Sequence, residues 1–116
     1  MRNANQKGRC IKRALPKFTS LCRTYDDVQN AYAALLSTDD NVVEVKCNVL
    51  IEDATEGKYC TDFVITKSDG NTAVRECVLN QYLCKPRMIK LLDLSQRFWL
   101  KHGVTDWKVV IADEKE

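Results

Sequence analysis

TDFVITKSDGNTAVRECV, residues 61–78, decides the fold through its turn. Two β-rich runs flank Ser68-Asp69-Gly70, and each holds one acid: Asp62 beside Phe63-Val64-Ile65, and Glu76 between Ala73-Val74 and Cys77-Val78. Carboxylates rarely occupy strand interiors unless they are paired, hydrogen-bonded or holding a cation. A two-residue turn at Asp69-Gly70 would set Asp62 opposite Cys77 and send the two acids to opposite faces of the sheet. A three-residue turn, with Gly70 left-handed beside a bulge, sets Asp62 directly across from Glu76. Opposed like charges destabilise a strand pair, and a divalent cation between them removes the repulsion. Oxygen ligands suit Mg²⁺ or Mn²⁺. The pattern leaves both turns open; in the first, each acid finds its own partner.

Working outward, residues 24–37 read as a helix. Thr24 is the expected N-cap, Asp26 and Asp27 favour the dipole, and Tyr25, Val28, Ala31, Tyr32, Leu35 and Leu36 form one face. Residues 42–51 are rich in β-branched side chains and read as a strand, with Glu44 and Lys46 facing outward against Val43, Val45 and Cys47. After the hairpin, Pro86 opens a helix that runs to His102 with Gly103 beyond its end. Its apolar stripe is Met88, Leu91, Leu92, Ser95, Phe98 and Trp99. Residues 107–112 form a last strand. A strand, a long helix and a strand make a parallel pair, so the expected class is α/β with a mixed sheet and packed helices.

At 116 residues the chain bounds a single domain, 45% hydrophobic and 29% charged. We expect a basic, irregular arm over 1–23, the α/β domain over 24–112 and an acidic tail over 113–116. Residues 1–23 hold seven Lys/Arg and no acid, leaving eleven basic against sixteen acidic residues elsewhere, a net of −5. A basic arm before an acidic body suits contact with phosphate backbones or, equally, a solvated terminus. No run of about 18 apolar residues exists, and MRNANQKGRC has no apolar signal core, so a cytoplasmic protein without a membrane span is expected. Six cysteines without a Cys-x-x-Cys pair, and one histidine, His102, argue against a zinc site. Cys47, Cys60 and Cys77 read as small hydrophobes, and His102 as a partner for the helix dipole.

The order helix, three strands, helix, strand, with an Asp in the second strand and a Glu in the third, resembles the PD-(D/E)XK nuclease core. More closely, LLSTDDNVVEV (35–45), TDFVI (61–65) and above all KPRMIKLLDLSQRFWLKHGVTDWKVV (85–110) resemble the N-terminal catalytic domain of TnsA-like endonucleases, the cutting subunits of heteromeric transposases. The similarity covers residues 20–112. It implies a restriction-endonuclease-like core and a Mg²⁺- or Mn²⁺-dependent DNA endonuclease that hydrolyses phosphodiesters with a transposase or phage protein as partner. Asp62 would be a metal ligand, Glu76 the first position of (D/E)-x-K, and the Cys77 backbone carbonyl a further ligand. Gln29 stands where the family's first helix usually carries a supporting Glu.

Two departures follow. The motif lysine is Val78, and Gln29 is a neutral amide; Lys46 and Lys67 are the candidates to replace the missing lysine. No counterpart of the additional C-terminal domain usual in such subunits is recognised. DNA contacts are expected from Arg9, Lys12, Arg13, Lys17, Lys85 and Arg87, and a homodimer stays open because relatives of this fold often act in pairs. Two alternatives stand beside the active enzyme: a catalytically impaired nuclease-fold module that binds DNA or protein, and an unrelated small α/β protein whose acids are structural.

Overall fold

In a computed structural model of the chain, residues 2–3, 10–53 and 57–111 are described. Arg9, residues 54–56 and the acidic tail lie outside them. The elements are β1 (Arg2–Asn3), β2 (Ile11–Arg13), β3 (Cys22–Thr24), α1 (Asp27–Thr38), β4 (Val42–Asp53), β5 (Gly57–Lys67), β6 (Thr72–Val78), a 3₁₀ turn (Asn80–Tyr82), α2 (Pro86–Lys101) and β7 (Asp106–Ile111). Four strands form a mixed sheet in the order β4-β5-β6-β7, antiparallel except for the parallel β6–β7 pair closed by α2, and the short β1 adds to β5. No helix among the described residues is long and apolar enough to cross a membrane.

The hairpin takes the three-residue turn. Phe63 pairs with Arg75 and Thr66 with Thr72, Lys67 N–H donates to the Asn71 carbonyl at 2.9 Å, and Gly70 is left-handed at φ +86°. That register sets Asp62 opposite Glu76.

Two apolar clusters hold the helices to the sheet. Val28, Ala33 and Leu36 of α1 pack with Val42, Val45, Phe63, Ile65, Ala73 and Cys77. Leu92 and Leu94 of α2 pack with Ile51, Tyr59 and Val78. Strict alternation would keep residues 45 to 51 of β4, and 59 to 65 of β5, on one side at odd positions. Instead Val45 and Phe63 join the α1 cluster while Ile51 and Tyr59 join the α2 cluster. The change falls at Asn48, left-handed at φ +56°, where the β4–β5 ladder skips the 48/62 position. The hairpin therefore changes faces beside Asp62.

Three expectations are corrected. Asp26, not Thr24, caps α1, accepting from Gln29 N–H at 2.9 Å; Thr24 instead pairs with Ile11 in a small ribbon. The stretch expected to be irregular carries that β2–β3 ribbon, and residues 17–19 run along the edge of β4, with Val45 N–H donating to the Lys17 carbonyl at 2.8 Å. In β4 a bulge between Val42 and Glu44 breaks the simple alternation, so Val42 is buried and Val43 is exposed.

Candidate functional site

Asp62 and Glu76 occupy the point where two strands part. The β5–β6 ladder ends at Phe63 and Arg75, and β1 takes over β5 at Tyr59 and Cys60. In the gap each carboxylate accepts from the other strand's backbone: Asp62 N–H donates to Glu76 Oε1 at 2.9 Å, and Cys77 N–H donates to Asp62 Oδ2 at 2.7 Å. Side chains thus replace the ladder bonds that the parting strands give up.

The helices clamp this pair from two sides. Gln29 of α1 donates from Nε2 to Asp62 Oδ1 at 3.2 Å, and Ser95 of α2 donates from Oγ to Glu76 Oε2 at 2.5 Å. Asp62 is 3% exposed, Gln29 2%, and Glu76 and Ser95 0%. Ser95 Oγ also accepts from Trp107 Nε1–H at 3.0 Å, so one hydroxyl bridges Glu76 and Trp107. Nearby, Trp99 Nε1–H donates to Thr61 Oγ1 at 2.9 Å. Burial first, then the charge of Asp62, push the Glu76 carboxyl up to about 7, against the opposing pull of the Ser95 and Asp62 N–H hydrogen bonds.

The resemblance-implied residues thus gather in part. Asp62, Glu76 and Gln29, spread over 48 residues of sequence, form one hydrogen-bonded cluster. Gln29 differs from the expectation in its chemistry: its Oε1 accepts from Tyr25 N–H at 2.7 Å, so the amide nitrogen, not the oxygen, meets Asp62. Val78 is 1% exposed and packed among Ile51, Tyr59 and Leu92. Neither candidate replacement lysine joins the pair. Lys67 Nζ lies 2.5 Å from Asp106 Oδ2, and Lys46 is exposed on β4 opposite Val64.

A cleft of about 480 Å³ opens beside the cluster, lined by Tyr25, Asp26, Gln29, Cys77, Val78, Leu79, Tyr82 and Met88. Lys85, the N-cap residue of α2, and Arg87, in its first turn beside Met88, are both exposed. Lys12 is exposed on the ribbon, whose Ile11 lines an adjoining cleft that shares Tyr25 and Asp26. Arg13 is drawn onto α1, donating to Asn30 Oδ1 at 2.7 Å. Lys17 donates to the Asp39 carbonyl at the far end of the same helix.

Two buried carboxylates lie together with one held up to about 7, and Mg²⁺ is commonly held by one or two carboxylates with waters and substrate phosphate completing its shell. No group of three His, Cys, Asp or Glu suited to a metal occurs among the described residues.

Ser95 and Trp107 are functional candidates that sequence reasoning placed elsewhere. Ser95 was legible only as a polar interruption of an apolar stripe, and nothing in the spacing marks Trp107 as its partner. The chain matches no protein-family model and no curated protein.

Proposed function

We propose that this chain is a divergent TnsA-like nuclease domain with a restriction-endonuclease-like core, acting on DNA phosphodiesters with Mg²⁺ or Mn²⁺. The observation that carries the reading is the convergence of Asp62, Glu76 and Gln29 at the parting of β5 and β6, beside an open cleft. Asp62 and Glu76 would hold the ion, which when bound supplies charge to a phosphate oxygen and acidifies water. Ser95 turns Glu76, Gln29 turns Asp62, and the exposed Lys85 and Arg87 meet the phosphate backbone beside the cleft. A transposase-like or phage protein remains the partner that the reading implies.

A second reading, a module that binds DNA without cutting it, is favoured by Val78 in the core and by the Gln29 amide nitrogen at Asp62. Among the described residues, Lys67 is paired with Asp106 and Lys46 lies exposed on β4, so neither candidate is at the pair to orient water or offset transition-state charge. Supercoiled plasmid incubated with Mg²⁺ or Mn²⁺ separates the two readings. Nicking by the unsubstituted protein that disappears in both Asp62→Ala and Glu76→Ala supports the enzyme. Retention of the plasmid in a gel shift without nicking, in the presence of either metal, supports the binding module.

A further inference from the structure

Away from the carboxylate pair, two of the six cysteines meet. Cys22 of β3 has no exposed surface, and Cys47 of β4 is half-buried and packs against the cluster that contains Cys22. The backbone on either side holds them in place: Cys47 Sγ lies 3.8 Å from the Leu21 carbonyl, and Arg23 N–H donates to Asn48 Oδ1 at 3.3 Å. Residues 21–23 are thus laced along residues 47–48, which sets Cys22 beside Cys47.

We propose that Cys22 and Cys47 form an oxidisable dithiol that closes to a disulfide on exposure to a low-molecular-weight disulfide, with Cys47 attacking and Cys22 resolving. The more accessible sulfur is also the more nucleophilic. The hydrogen bond from Cys22 brings the Cys47 thiol down to about 7, while the same bond and then burial push Cys22 up. The Cys47 thiolate attacks one sulfur of the small disulfide, forming a mixed disulfide and expelling one thiolate. Cys22 gives its proton to solvent and attacks the Cys47 sulfur, and the second small thiolate leaves. The two cysteines lose two electrons and two protons in all, and the small disulfide becomes two thiols.

The new bond would fasten the β2–β3 ribbon to β4 one residue before Asn48, where the hairpin changes faces beside Asp62. It closes a loop through α1 and so constrains the unfolded chain. Cys84, the exposed cysteine, is the built-in control for unselective oxidation.

The full chain is treated with oxidised glutathione, its remaining thiols are alkylated at low pH, and its peptides are mapped without reduction. The expected species is a peptide linking Cys22 to Cys47, accompanied by a thermal midpoint several degrees higher. Cys22→Ser should instead accumulate glutathione on Cys47, and Cys47→Ser should leave Cys22 unmodified. Should Cys22→Ser fail to fold, the link in the unsubstituted protein and the Cys47→Ser result still decide. Glutathione resting on Cys47 of the unsubstituted protein with no cross-link overturns the proposal, as does a link between other cysteines or no reaction at either residue.

Discussion

Glu76 has no surface in contact with solvent, yet both of its carboxylate oxygens are hydrogen-bond acceptors. Burial and Asp62 raise its carboxyl from an ordinary 4.5 to about 7. The folded chain therefore holds a proton there that the unfolded chain releases. Without a cation, the stability from this group is complete below about 4.5 and is lost as pH rises through about 7, a swing of up to about 3 kcal/mol. Urea unfolding in chelator at pH 5 and pH 8 measures it: Glu76→Gln should flatten the difference, and an unchanged difference in that variant would assign it to another group. Ser95→Ala strips a donor from Glu76 and the acceptor from Trp107 in one change. We expect a loss of about 1–3 kcal/mol in the same assay; a loss below a few tenths would show that the relay contributes little.

At the scale of elements, the hairpin turn sets the geometry on which the acid pair depends. Gly70 is left-handed at φ +86° with open space around its α-carbon, so an added methyl group meets no neighbour and only backbone strain opposes it. Gly70→Ala should cost about 1–2 kcal/mol, and Gly70→Asn visibly less, in thermal or urea unfolding. Equal costs for the two would mean that the turn tolerates another shape. Much of this level was legible in the sequence. The β-branched runs, Pro86 and Gly103 mark the strands and α2 to within a residue or two, because local chemistry dictates them. The three-residue turn was one of two that the residues allowed; the β5–β6 ladder selected it. What escaped reading depends on distant contacts. Thr24 has the chemistry of an N-cap, but its pairing with Ile11 draws it into the ribbon and leaves the cap to Asp26. Val43 looks like a core residue until the bulge turns it outward, and no local signal announces that Asn48 reverses the faces of the hairpin.

For the whole molecule, the helices meet the sheet from two sides, and the acid pair lies between their contacts, with Gln29 reaching from α1 and Ser95 from α2. Asp62, Glu76 and Gln29 were nameable from a family resemblance, but the resemblance could not tell which end of the Gln29 amide meets Asp62. That is decided by Tyr25 N–H, which takes the amide oxygen. The basic residues divide in the same way. Arg13 and Lys17 bond to α1 and its C-cap, and Lys85 and Arg87 are exposed near Met88 of the cleft. We expect Lys85→Ala/Arg87→Ala to weaken binding of a DNA duplex by fluorescence anisotropy and to flatten its dependence on salt. An unchanged salt slope would move the DNA contact to another surface.

The central claim is that Asp62 and Glu76 together hold a divalent cation. Calorimetric titration of Mn²⁺ into the unsubstituted protein and into Asp62→Ala, with circular dichroism to verify that both are folded, tests it most directly. Saturable binding by the unsubstituted protein that vanishes in Asp62→Ala is the expected result. Equal binding by the two folded proteins, or none by either even with a DNA duplex present, would contradict the claim and leave the pair as a structural clasp between parting strands.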